Sequence, residues 1–160
     1  MDTSANLLQR FTEYFTRDIA EQAAKTIADG AEVQLNVQTS GAELLEEFYF
    51  TRVAGKNEIR TGSAPSPQLI FLLTPKAAEQ VLNDPAQDVG TIGINLLKLI
   101  ASPDANLRIS FKIKTGFFDL FNKGYFGVLA TGGHQFAGYL ASIGLSGIGT
   151  IKNVLKNHKD

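Results

Sequence analysis

The apolar positions of this chain change period several times, and each change marks a new element. Leu7, Leu8, Phe11, Tyr14, Phe15, Ile19, Ala23 and Ile27 recur at helical spacing, with Arg10, Glu13, Arg17, Asp18, Glu21 and Lys25 between them. With Ser4 as N-cap and Gly30 as stop, they predict one long amphipathic helix. Alternation then takes over: Ala31, Val33, Leu35 and Val37 interleave with Glu32, Gln34, Asn36 and Gln38, as in a strand with one buried face. After a turn at Ser40-Gly41, Glu46 to Val53 reads as a second strand with Phe48 and Phe50 on one face. Gly55-Lys56-Asn57 then closes a hairpin into a short third strand from Glu58 to Thr61. Leu69 to Leu73 is apolar at every position, which predicts a central strand covered on both faces.

Two helices and a strand follow. Thr74 caps and Pro75 opens a helix through Leu82, because proline at the first helical position gives up a hydrogen bond that would not be made. Val89, Ile92, Leu96, Leu97 and Ile100 form the broad apolar stripe of the next helix, which Pro103-Asp104 ends. Leu107, Ile109, Phe111 and Ile113 alternate with Arg108, Ser110, Lys112 and Lys114, giving a strand with an apolar face and a basic one. The order of elements predicts a single α+β domain over 1–160, a mostly antiparallel five-stranded sheet with helices on one face. An apolar, helical C-terminal region completes it.

That last region is the most distinctive part of the chain. The 28 residues from Gly124 to Ile151 contain no Asp, Glu, Lys or Arg, and they carry eight of the fifteen glycines. His134-Gln135 and several Ser and Thr interrupt the run, so it holds no block of about 18 apolar residues that could span a bilayer. Just ahead of it, Phe117, Phe118, Phe121 and Phe126 crowd together, and Phe136 follows. A glycine-rich, phenylalanine-rich, charge-free segment suits one wall of an apolar pocket.

Composition narrows the chemistry. The absence of Cys excludes thiol catalysis and cysteine-based metal sites, and with a polar Met1 to Gln9 it predicts a cytoplasmic protein. The histidines are His134 and His158, neither with clustered carboxylates, so no metal site and no cofactor are expected. No Gly-x-Ser-x-Gly elbow, Walker loop or dinucleotide fingerprint occurs, and the expectation is of a protein that is not an enzyme. Charge is unevenly placed: residues 1–97 carry 7 basic and 13 acidic side chains, and residues 98–160 carry 8 and 3. A nucleic-acid surface would show a denser basic stripe with interleaved aromatics, and the modest basic side suits transient contact with an anionic membrane surface better.

The segments Leu69 to Ala78 (LIFLLTPKAA) and Pro103 to Leu120, the latter with Lys112-Ile113-Lys114-Thr115-Gly116, resemble the sterol carrier protein 2 (SCP-2-like) lipid-transfer family over about residues 5–130. Residues 131–160 are a C-terminal apolar extension beyond it. The resemblance implies a carrier that encloses a fatty acyl, sterol, isoprenoid quinone or phospholipid chain between sheet and helices. The candidate lining is Leu82, Ile92, Leu96, Leu97, Ile100, Phe111, Ile113, Phe117, Phe118, Phe121, Phe126, Leu129 and Phe136, with His134 as a polar contact for a head group. The end of the chain, Gly144 to Asp160, would act as a detachable cover. The alternative is an accessory protein whose apolar C-terminal region packs on a partner or on a second copy.

Overall fold

The computed structural model describes residues 3–100, 102–116, 119, 122–124 and 127. The elements in order are α1 (Thr3–Thr16), α2 (Asp18–Ala23), β1 (Glu32–Gln38), β2 (Leu44–Val53), β3 (Lys56–Thr61), β4 (Leu69–Leu73), α3 (Pro75–Leu82), α4 (Val89–Ile100) and β5 (Ile109–Ile113). The strands form one sheet in the order β3-β2-β1-β4-β5. β1–β2, β2–β3 and β4–β5 are antiparallel, and β1–β4 is parallel. This is the mostly antiparallel α+β layout that the sequence predicts.

Register decides what the sheet presents. Val33 opposes Phe50 and Leu69, and Leu35 opposes Phe48 and Phe71. All of these face the helices. There the core gathers Leu7 and Phe11 of α1, Ala77, Ala78 and Val81 of α3, and Leu99 of α4. Phe11 and Phe48 are each 1% exposed and pack with ring centroids 5.8 Å apart. Burial on that scale stabilises by about 1.5–3 kcal/mol per side chain. Arg10 fastens α1 to α3 by a two-pronged ion pair with Glu79, at 2.6 and 2.9 Å.

The predicted long first helix is two helices. Arg17 is extended (φ −62°, ψ 153°) and separates α1 from α2. The carbonyl of Phe15, which a continuing helix would give to the amide of Ile19, instead accepts the side-chain amide of Asn57 at 2.8 Å. Asn57 is itself held by Arg52, and its backbone N–H donates to the Glu21 carboxylate at 3.0 Å. The break is therefore made by the β2–β3 hairpin. That hairpin turns on Ala54 and Gly55, both at positive φ, the signature of a tight turn matched to strand twist.

The polar face of β1 also departs from expectation. Alternation places Gln34 in solvent, yet it is buried, because the connection from β3 to β4 crosses this face. The Gln34 amide donates to the Gly62 carbonyl (3.1 Å) and accepts from the Ala64 N–H (2.7 Å). Glu32 accepts from the Ser66 N–H alongside. β4 is less enclosed than its composition predicts: Leu69 to Leu72 are half-buried and Leu73 alone in the strand is fully buried. The helix from Pro75 to Leu82 forms as expected, with the Thr74 hydroxyl accepting the Ala77 N–H at 3.2 Å and donating to the Asn106 carbonyl.

Candidate ligand-binding site

Helix α4 has the sequence VGTIGINLLKLI, seven large apolar residues in twelve. Its start is fixed by the Asp88 carboxylate, which accepts the Thr91 N–H at 2.8 Å as an N-cap does. A helix this apolar belongs in an interior. Yet within α4 only Gly90 and Leu99 are buried; Lys98 is exposed, and the other nine residues are half-buried. Leu96, Leu99 and Ile100 pack on the core, whereas Val89, Ile92, Ile94 and Leu97 lie outside that cluster.

Beside α4, the β4–β5 half of the sheet is open to the same degree. Phe71 and Phe111 are directly opposed across the two strands, with ring centroids 5.9 Å apart, and both are half-buried. Leu69 is half-buried on the same face. Helix α4 and strands β4 and β5 thus each carry apolar side chains that are incompletely enclosed.

The sequence-predicted lining divides three ways. Leu96 and Ile100 on α4 and Leu82 at the end of α3 pack together against the core. Ile92 and Leu97 are on α4 but outside that cluster, and Phe111 reaches the surface from β5. Ile113 is 3% exposed and pairs with Leu69 on the helix-facing side of the sheet. Phe117, Phe118, Phe121, Phe126, Leu129, His134 and Phe136 lie outside the described residues, as does the predicted cover from Gly144 to Asp160. The pattern missed Leu69 and Phe71, because a strand apolar at every position does not reveal which residues share the helix face. The parity of β5 and the pairing of the two strands supply that information.

A polar contact ties the middle of α4 to the segment that follows α3. Asn95 donates to the Asp84 carboxylate at 3.0 Å, and Asp84 also accepts the Ala86 N–H. The field of Asp84 reaches Tyr14 of α1, whose hydroxyl is pushed above the ordinary phenol range, mainly by burial, with Arg17 opposing the shift. The Arg17 guanidinium lies 4.2 Å from the centre of the Tyr14 ring, and its Nε donates to the Tyr14 carbonyl at 3.0 Å.

At the other end of α2, the chain beyond β5 comes close to the α2–β1 connection. Ala28 N–H donates to the Lys123 carbonyl (2.8 Å), and the Thr26 hydroxyl donates to that of Gly124 (2.8 Å). Gly124 is at φ +85°, and a Cβ there would fall 1.7 Å from the Thr26 carbonyl oxygen. Only glycine fits.

Among the described residues, no group of three or more His, Cys, Asp or Glu side chains converges as a metal site would require. None of the described helices is long and apolar enough to cross a membrane. No protein-family model matches the chain, and no curated protein does. Among solved structures, the chain is similar to one described as "UbiJ-SCP2 Ubiquinone synthesis protein". The identity is 9%, the alignment covers 79% of this chain and 92% of that one, and the TM-score is 0.45. At this identity and TM-score the match assigns no residue role and no ligand to the chain.

Proposed function

We propose that this protein binds a long apolar ligand between α4 and the β4–β5 half of the sheet and carries it through water. A fatty acyl chain, sterol, isoprenoid quinone or phospholipid would suit the surface. The observation that carries the reading is α4 itself. Val89, Ile92, Ile94 and Leu97 are half-buried and outside the core cluster, and the strands beside α4 carry half-buried Phe71 and Phe111. Each buried methylene contributes about 0.8 kcal/mol, so a 16-carbon chain requires on the order of 10 kcal/mol of apolar contact to leave a membrane. A surface of leucine, isoleucine and phenylalanine provides that contact without fixing one orientation. The chain acts as a single carrier unit, in the cytoplasm, by binding and not by turnover. Exposed Lys112, on the sheet face away from the helices, contributes to transient contact with an anionic membrane.

Native mass spectrometry of the purified protein tests the proposal: a non-covalent adduct of lipid mass is expected, together with saturable binding of a fluorescent fatty-acid probe. Leu97→Trp fills the space beside α4 and should displace the probe while circular dichroism stays unchanged. A protein that carries no lipid and binds no apolar probe would overturn the reading.

A further inference from the structure

Of helices α1 to α4, only α2 has no buried residue: Asp18 and Gln22 are exposed, and Ile19, Ala20, Glu21 and Ala23 are half-buried. Apolar packing therefore holds it weakly, and a segment with so little buried surface opens ahead of the rest of a fold. The chain on either side is anchored. Phe11 and Phe15 stack before it, and Ala24 and Ile27 enter the core after it. Between those anchors, the extended backbone of Arg17 already separates α2 from α1. The helix can thus swing as a unit without disturbing the core.

What holds α2 in place is a polar latch. The Glu21 carboxylate accepts the Asn57 backbone N–H at 3.0 Å and lies 3.5 Å from the Arg52 guanidinium. The Asn57 side-chain amide also donates to the Ala20 carbonyl at 3.3 Å. Arg52 is 5% exposed, and among the described residues Glu21 is its carboxylate partner. Its other bonds go to neutral acceptors, the Asn57 side-chain oxygen and the Gly55 carbonyl. Pairing in that setting is finely balanced: the closed helix gives Arg52 a counter-charge but keeps it from water, whereas an open one would hydrate both ions. The latch is therefore reversible in a way that a buried apolar contact is not.

Helix α2 packs against α4, the helix that carries the proposed ligand surface, and that contact leaves none of its side chains buried. We propose that α2 is a gate beside α4. It swings between Arg17 and Ala24, the Glu21–Asn57–Arg52 latch holds it shut, and its opening sets how fast an apolar ligand enters and leaves. The proposal rests on the lipid-binding reading above. It assigns rate and not affinity to the latch, because a gate that closes equally over empty and filled protein scales uptake and release together.

Native-state hydrogen exchange tests the opening without any ligand. The Glu21 and Ala24 amides, bonded to the Arg17 and Ala20 carbonyls, should exchange through an opening that low urea does not promote. The amide of buried Ala78 should instead follow global unfolding and respond to urea. Glu21→Ala should speed exchange at Ala24 about tenfold, the scale of one charge-assisted contact. Equal protection and equal urea dependence of these amides would overturn the gate. Stopped-flow transfer of cis-parinaric acid then tests what the gate controls. Glu21→Ala should raise uptake and release alike by about tenfold and leave the dissociation constant within about threefold. Glu21→Gln, which keeps an acceptor for Asn57, should fall between. Arg10→Met, which breaks the ion pair between α1 and α3, should change neither rate, and thermal melts establish that each variant is folded. Faster opening with unchanged transfer rates would overturn the gating role and leave lipid binding intact. No binding of the probe by wild type would overturn both.

Discussion

Gln34→Leu isolates the contribution of the connection that crosses the sheet. The substitution keeps the side-chain volume close and removes three hydrogen bonds: to the Asn36 side chain at 2.9 Å, to the Gly62 carbonyl at 3.1 Å, and from the Ala64 N–H at 2.7 Å. Gly62 is exposed and Asn36 half-buried, so both can turn to water. Ala64 is 8% exposed, and its N–H has no such recourse. An orphaned buried donor costs about 1–3 kcal/mol, and the two replaceable bonds add roughly 0.5–1.5 kcal/mol each at most. A loss of about 2–4 kcal/mol is expected. At this chain length that lowers the melting temperature by roughly 5–15 °C. Urea unfolding followed by circular dichroism measures the loss, and hydrogen exchange at the Ala64 amide should quicken in parallel. Since the connection lies on the face away from α4, fatty-acid affinity should stay within about twofold. A variant as stable as wild type would refute the role assigned to the crossing segment, and lost affinity with preserved stability would refute the separation of the two faces.

Other consequences follow from named contacts. Gly124→Ala, forced against the Thr26 carbonyl from a positive φ, should undo the docking of Lys123 and Gly124 on Thr26 and Ala28, seen as faster exchange of the Ala28 amide. The Arg10 guanidinium holds the Glu79 carboxyl below its ordinary 4.5, so the pair stabilises above that value and its contribution fades as pH falls through the lowered one. Both groups are solvent-accessible, and wild type should lose no more than about 1 kcal/mol relative to Arg10→Met between pH 7 and pH 3; a larger loss in urea titrations would mean that other carboxylates depend on the pair. Asn57→Ala removes the group that takes the Phe15 carbonyl and should cost about 1–3 kcal/mol in chemical denaturation, while an undiminished midpoint would show that the helix break does not need it. Lys112→Glu should slow lipid delivery to anionic vesicles more than to neutral ones, and equal slowing would reject surface docking.

How much of this molecule is readable from its sequence depends on the range over which the causes act. The α3 start at Thr74-Pro75, the apolar stripe of α4 and the alternation in β1 and β5 are set by residues within a turn or two of one another, and periodicity reveals them directly. The strand count and the α+β class follow from their order. What the pattern could not contain is the pairing of distant segments. Asn57 breaks the first helix from a strand some forty residues away, and the crossing of residues 62–68 turns Gln34 from a solvent-facing into a buried residue. The candidate site divides along the same line. Leu96, Leu97 and Ile100 are legible because a helix repeats, but Phe71 joins Phe111 only through the β4–β5 register. Arg17 reads as one more polar residue on an amphipathic helix. Its extended backbone and the position of its guanidinium over the Tyr14 ring come from the tertiary packing that breaks that helix at its position.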